Sequence, residues 1–477
     1  MSVNLSEQLK SQELSDQKFE KVLGKKDVIA IGFGAMIGWG WVILAGEWIL
    51  RAGSLGSMLA FILGGIMIIF VGQVYAELTS AIPEAGGEHV FSYRAYGKNV
   101  SYICTWTLIL SYAGVAAFEA VALPTVIQYI FPNFLKGYMY TIAGFDVYAS
   151  WVAVGVIAAL LITYINLRGI KTAANLQNIL SFSIITIGLI LMVASAIKGD
   201  MRKMEPLFID GYKGVLSVTI MTPFMFVGFD VIPQASEEVN IPYKDLGKMM
   251  IVSIILGAAF YVFIIFAIAL TLTHAEMRES ILVTADAMKK AFSGSQIAGN
   301  ILVLGGVAGI ITSWNSFFIG GSRAIYAMAQ SKMLPKSLGM LHPERKTPTI
   351  PILMIGAISA IAPFFGRAAL VWLTNAGGFA IVLAYILVSL SFIRLRKIEP
   401  DLPRPYKVSN IAVGYLAVAT STLMGILYLP GMPSGLVLPE WIIIISWTIV
   451  GILFYIKAKR TYPNFGERIF KDMQELN

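Results

Sequence analysis

Charge, cysteine and histidine are all scarce in this chain. Asp, Glu, Lys and Arg make up 13% of its 477 residues, about half the roughly 25% of an average soluble protein. The single cysteine, Cys104, excludes an intramolecular disulfide and a cysteine-built metal cluster. The three histidines, His89, His274 and His342, fall in predicted loops. No nucleophile–base constellation, His-rich metal motif or phosphate-cradling loop is present, so neither an enzyme nor a resident cofactor or metal is expected. Met1 to Asp27 lacks the basic, apolar, small-residue order of a cleavable signal peptide, so the first membrane helix is expected to direct insertion and to stay.

What the chain has in quantity is apolar sequence. Hydrophobic residues reach 57%, and continuous runs long enough to cross a bilayer recur along its length. The shorter alternating segments of a β-barrel are absent. The expected class is an all-α integral membrane protein of twelve transmembrane helices, at 28–50, 55–82, 100–131, 149–167, 173–198, 214–234, 247–272, 296–329, 350–366, 368–393, 409–430 and 437–457. A net charge of +8 invites a nucleic-acid partner, but its distribution argues against one. With the N-terminus inside, Lys and Arg number 25 on the cytoplasmic side and 10 on the other, the bias of the positive-inside rule. Both termini are therefore expected in the cytoplasm, in the plasma (inner) membrane. The division is a tail of 1–27, a core of 28–395, two further helices within 396–457, and a tail of 458–477. The expected partners are a small-molecule substrate and the lipid bilayer, with no obligate protein partner. Segment 83–99 is either a short helix along the inner face or an ordinary amphipathic loop.

Two of the apolar segments are interrupted. Span 1 carries Gly32, Gly34, Gly38 and Gly40 at its midpoint, and each glycine costs about 1 kcal/mol of helix propensity against alanine. Span 6 carries Pro223, Gly228, Asp230 and Pro233 within eleven residues, and Asp230 is placed to cap a half-helix starting at Val231. Unwound backbone survives at membrane depth only where it lines a cavity or is buried in protein. Breaks five spans apart point to inverted repeats, spans 1–5 and 6–10, with a site between them. Free N–H groups of Trp39 and Gly40 suit a carboxylate, and unwound carbonyls suit an ammonium or cation.

These residues resemble the amino acid–polyamine–organocation permeases over nearly the whole chain. Met36-Ile37-Gly38-Trp39-Gly40-Trp41 is similar to the family's Gly-x-Gly break. Phe226-Val227-Gly228-Phe229-Asp230, followed by Glu237-Glu238-Val239-Asn240-Ile241-Pro242, is similar to its helix 6 signature. Ser322 to Ala329 with Met333-Leu334-Pro335, then Thr347-Pro348 and Arg404-Pro405-Tyr406-Lys407-Val408, match its later segments in order. The resemblance implies a LeuT-type 5+5 inverted repeat with broken helices 1 and 6. It implies alternating-access transport of amino acids, by symport with protons or sodium or by exchange. It implies substrate binding at Ile37, Gly38, Trp39 and Gly40, with Phe224 as a gate and Phe226, Val227 and Gly228 around the amino group. Two departures stand out. Trp39 fills a position usually small in that motif, and no lysine occurs from Thr172 to Ile197, where many proton-coupled members carry one.

Ionisable groups inside a membrane are costly and functional by default. Glu119 either attracts a cationic substrate or relays a proton, or else is a packing carboxylate. Asp230 is a proton or amine site, a helix cap, or both. Ser313 and Ser316 in span 8 are candidates for a sodium site, or for ordinary interhelical bonding. Glu77 reads as structural, and Glu47 with Arg51 as an i,i+4 pair. Glu237 and Glu238 read as a solvated face with Lys244 and Lys248. Transport of an amine or polyamine lacking a carboxylate, or a membrane sensor on the same scaffold, are the competing functions.

Overall fold

The first membrane segment starts on a cap and stops on a break. In the computed structural model, which describes residues 18–432 and 435–467, the Gly24 N–H donates to Asp27 Oδ2 at 2.8 Å. That bond closes the first turn of α1 (Lys25–Met36). Ile37 then leaves the helix with φ −96° and ψ 72°. The chain resumes as α2 (Gly40–Ile43) and α3 (Ala45–Ala52). The outer parts of the two tails, 1–17 and 468–477, lie outside the described residues.

Among the described residues the remaining elements are helices and one hairpin. α4 (Ser54–Ala81), the short α5 (Glu88–Tyr96) and α6 (Lys98–Ile130) come first. Strands β1 (Tyr138–Ile142) and β2 (Phe145–Tyr148) pair antiparallel, which no alternation in the sequence had suggested. Then follow α7 (Ala149–Leu167) and α8 (Ile170–Lys198). The sixth apolar segment is α9 (Tyr212–Thr219), α10 (Thr222–Met225) and α11 (Val231–Gln234), interrupted as its prolines and glycine require. α12 (Tyr243–Thr271), α13 (His274–Glu279), α14 (Val283–Ala291) and α15 (Gln296–Gln330) precede α16 (Thr349–Ile361), α17 (Gly366–Ile398), α18 (Ala412–Leu427) and α19 (Leu438–Thr461). Eight of these are long and apolar enough to cross a membrane, and α16 and α18 are shorter apolar helices. The architecture is that of an all-α membrane protein. Segment 83–99 does form a helix, α5, whose Glu88 and His89 are fully buried.

One connection closes over the first break. α13 opens on Thr273, whose hydroxyl accepts the Glu276 N–H while the Glu276 carboxylate accepts the Thr273 N–H at 2.8 Å. This reciprocal cap fixes the start of the helix. Lys290 on α14 bonds the same carboxylate, so the two short helices are tied together. α14 then seats Thr284 on the first segment, its hydroxyl 3.1 Å from Trp41 O. The Lys290 ammonium, the Thr273 N–H and the Thr273 hydroxyl hold the Glu276 carboxyl down at about 2. The folded pKa is depressed, so this pairing is fully present above the ordinary glutamate range near 4.3 and is lost as pH falls towards about 2. Limited proteolysis between α13 and α14 should accelerate only in that acid window, and Lys290→Ala should shrink the pH step, the Thr273 contacts remaining.

Candidate functional site

Both breaks converge on one space. At Gly228 the chain takes φ 131°, and a Cβ there would lie 2.5 Å from Ala35 Cβ and 3.0 Å from Met36 N. Only glycine lets the sixth segment press its backbone against the first at that point. The gap left by the two interruptions is a cavity of about 200 Å³. Gly38, Trp39, Gly40, Phe224 and Val227 line it, together with Glu119 and Ser313. Four main-chain N–H groups, from Gly38 to Trp41, have no acceptor among the described residues. Such unpaired amides beside a cavity are donors waiting for an anionic group.

Glu119 and Ser313 meet over Gly38. A methyl group on Gly38 would stand 3.2 Å from Glu119 Oε1 and 3.5 Å from Ser313 Oγ. Glu119 Oε2 is buried with no hydrogen-bond partner, a costly arrangement for a polar atom unless a ligand or water completes it. Trp39 does not obstruct the cavity. Its ring turns towards α15, so close that a Cβ on Gly306 would fall 2.0 Å from Trp39 Cζ3.

The other expected site residues lie apart from the cavity wall. Ile37 and Phe226 are fully buried, and Phe226 packs edge-on against Tyr261. Gly228 serves the contact between segments. Ser316 faces elsewhere than Ser313: its hydroxyl donates to Ile31 O at 3.1 Å and accepts from Gln177 Nε2 at 3.0 Å. Gln177 also donates to Ala30 O at 3.1 Å, so a neutral amide links α8 to α1 within the stretch from Thr172 to Ile197 that holds no lysine.

Asp230 departs from its expected role as a cap. It stands immediately before α11, but its side chain makes no capping bond to that helix. Oδ1 accepts instead from the Gly228 N–H at 2.8 Å and the Tyr385 hydroxyl at 2.9 Å, and Oδ2 from the Tyr112 hydroxyl at 2.5 Å. The carboxylate thus ties the break to α17 and α6. The reason is local: Asp230 has helical φ and ψ, not the extended conformation from which a side chain reaches forward.

Glu238 is also not on a solvated face. It is 1% exposed and bonded at both oxygens, 2.9 Å each, to the equally buried Arg323 on α15. Glu237 instead accepts the Ala85 N–H at 3.3 Å. The solvated pairing falls to Asp245, which meets Lys25 at 2.6 Å and Lys248 at 3.9 Å. Glu77 is structural as expected, held by Arg396, by Arg404 at 3.1 Å and by the Val408 N–H at 2.7 Å. Glu47 and Arg51 form their i,i+4 pair.

One contributor was not foreseen. The Tyr261 hydroxyl on α12 lies 2.9 Å from Met36 O and 3.3 Å from Met225 O, bridging the carbonyl ends of both breaks. A lone tyrosine inside an apolar run was the available signal.

The family model for amino acid permeases matches residues 23–455, which includes both breaks and every residue of the cavity. The chain belongs to the amino acid permease family. This permease is 27% identical to a branched-chain amino acid permease of Bacillus subtilis, over 95% of its own length and 96% of the relative's. It is 29% identical to the methylthioribose transporter of the same organism, over 96% of each chain. An aspartate–proton symporter of Bacillus subtilis is 25% identical over 83% of this permease and 76% of the relative. These relatives are transporters, not enzymes, and this permease is a membrane-embedded member of their family.

Proposed function

We propose that this permease is a secondary active transporter that moves amino acids across the plasma membrane by alternating access. The single observation that carries the reading is the cavity at the meeting of two interrupted helices, with unpaired amides on one wall. A carboxylate would take the N–H groups at Gly38 to Trp41, and the ammonium would face Glu119 and the unwound carbonyls. In this reading the chain crosses the membrane twelve times as a LeuT-type 5+5 inverted repeat, with both termini cytoplasmic and α5 at the cytoplasmic end. Movement is coupled to a proton or sodium gradient, or is exchange.

The wall away from Glu119 and Ser313 is apolar, formed by Phe118, Phe224, Val115, Val227 and Phe317 among others. That favours an aliphatic or aromatic side chain on the substrate, since each buried CH₂ contributes about 0.8 kcal/mol. Thermal-shift screening of the purified chain with a broad amino acid panel tests the reading, because a ligand that binds the folded state raises its stability. Failure of every amino acid to bind or exchange would defeat it.

A second reading, transport of a solute without a carboxylate, draws on the unpartnered Glu119 Oε2, and one relative is named for methylthioribose. Glu119→Gln separates the two. Under the amino acid reading it weakens binding about tenfold, the loss of a hydrogen bond to a charged group at roughly 1.5 kcal/mol. Under the second reading amines lose binding while amino acids never compete. Isothermal titration with both ligand classes decides between them.

A further inference from the structure

A second polar cluster lies at the α5 end of the bundle, apart from the cavity. The turn before α5 is pressed onto the sixth segment: a Cβ on Gly87 would stand 2.5 Å from Pro233 Cβ. The Gly86 N–H donates to Gln234 O at 3.4 Å, and the Ser236 hydroxyl to Glu84 O at 3.0 Å. This docking buries Glu88, the first residue of α5, completely. Its Oε2 accepts from the Gln234 amide. Three polar atoms of the cluster, Glu88 Oε1, Gln234 Oε1 and the Tyr75 hydroxyl, are buried with no hydrogen-bond partner.

Among the described residues no positive charge compensates Glu88. The groups that face it are Tyr75 from α4, Cys104 from α6 and Asp230 from the sixth segment, with the Tyr112 and Tyr385 hydroxyls bonded to Asp230. His89, its neighbour in sequence, turns its ring nitrogens to Thr105, Ser101 and Ser331. Arg323 is bonded at Glu238, and Arg396 and Arg404 at Glu77. Two buried carboxylates, Glu88 and Asp230, therefore share a region without a cationic partner among the described residues. Two like charges in one buried region oppose each other's ionisation.

The two carboxyls differ in the donors they receive. Asp230 receives three donors, which suits a carboxylate that only accepts. Glu88 receives the Gln234 amide and faces the Tyr75 hydroxyl, fewer donors than Asp230, while the Gln234 side-chain carbonyl oxygen lacks a donor altogether. A proton on Glu88 supplies the missing O–H. We infer that Glu88 is a proton-binding site in this conformation, and that its proton is released to cytoplasmic water when the α5 end opens. Burial, and then the charge of Asp230, hold the Glu88 proton well above the usual carboxylate range. Undocking the turn from the sixth segment hydrates Glu88 and removes that cause. A proton that binds the closed form more tightly favours it by linkage, so an acidic cytoplasm holds this end closed and an alkaline one favours opening. The directional consequence rests on the alternating-access reading; the proton itself does not.

Infrared titration of the purified full-length chain tests the site. The wild type is expected to show an un-ionised carboxylic acid band at neutral pH that Glu88→Gln lacks and Glu88→Asp displaces. Absence of any such band in the wild type, or its persistence unchanged in Glu88→Gln, overturns the inference. Glu88→Asp keeps a carboxyl in place, so the assignment survives a Gln variant that fails to fold. Alkylation of Cys104, fully buried beside this cluster, reads the gating. Its rate in the wild type should rise several-fold relative to Glu88→Gln as pH increases, and an equal pH profile in both overturns the gating half. Amino acid binding is measured separately. A chain that binds none yet shows the Glu88 band fails as a transporter and keeps its proton site.

Discussion

Arg323→Ala should be the most destabilising single change at the α5 end, costing about 3–5 kcal/mol, because it strands a buried carboxylate without its counter-ion. Arg323 and Glu238 are each 1% exposed and bonded at two points. Several other contacts depend on this pair. Phe19 lies under the guanidinium at 5.7 Å and edge-on to Tyr326 at 5.0 Å. The N–H groups of Val22 and Leu23 both donate to Glu238 O, at 2.9 and 3.0 Å, and Leu23 pairs in parallel with Val239. The segment before α1 is therefore laid across the end of the sixth segment, with the ion pair beneath it. The measurement is thermal unfolding in detergent, together with protease access to residues 18–24. The double variant Arg323→Leu with Glu238→Leu should recover most of the loss, since replacing a buried ion pair by apolar residues is often neutral or stabilising. If the double variant is as unstable as the single one, the pair is not the source of the effect.

The two breaks were legible because they break rules at membrane depth. Glycine and proline are expensive inside a lipid-spanning helix, so their clustering near 32–40 and 223–233 announces itself without any partner. The helix spans were legible for the same reason, being long apolar runs with few charges. What the sequence hid was pairing across distance. Glu238 and Arg323 are 85 positions apart, and nothing local distinguishes a paired glutamate from a solvated one beside Lys244 and Lys248. Asp230 misled in another way. Its position is that of a cap, but its backbone there is helical, so its side chain does not reach forward and bonds the tyrosines of α6 and α17 instead. Tyr261 was hidden because a hydroxyl in an apolar run shows its purpose only once both carbonyl ends are beside it. Glu88 escaped notice because α5 looked like surface, and only the fold turns it inward.

Trp39 raised the question of how a large ring fits inside a glycine break, and Gly306 answers it. Placing valine at 306 should abolish substrate binding. The first added carbon already falls 2.0 Å from Trp39 Cζ3, 2.5 Å from Cε3 and 2.9 Å from Val42 Cγ2. Nothing at this position can yield cheaply. The neighbour is a rigid ring that is itself 6% exposed, and overpacking of that kind costs about 1–3 kcal/mol or more. The ring lines the cavity of about 200 Å³, and a ring displaced into it would occupy the space proposed for the substrate. A loss of about 1.4 kcal/mol is tenfold in affinity, so the lower bound of about 1 kcal/mol is near fivefold, and a ring turned into the cavity would eliminate binding. Trp39→Ala should relieve the clash, and the double variant should bind better than Gly306→Val alone, a non-additivity that a double-mutant cycle by isothermal titration measures directly. Strict additivity would mean that ring and glycine act independently, and that the small residue at 306 serves only helix packing.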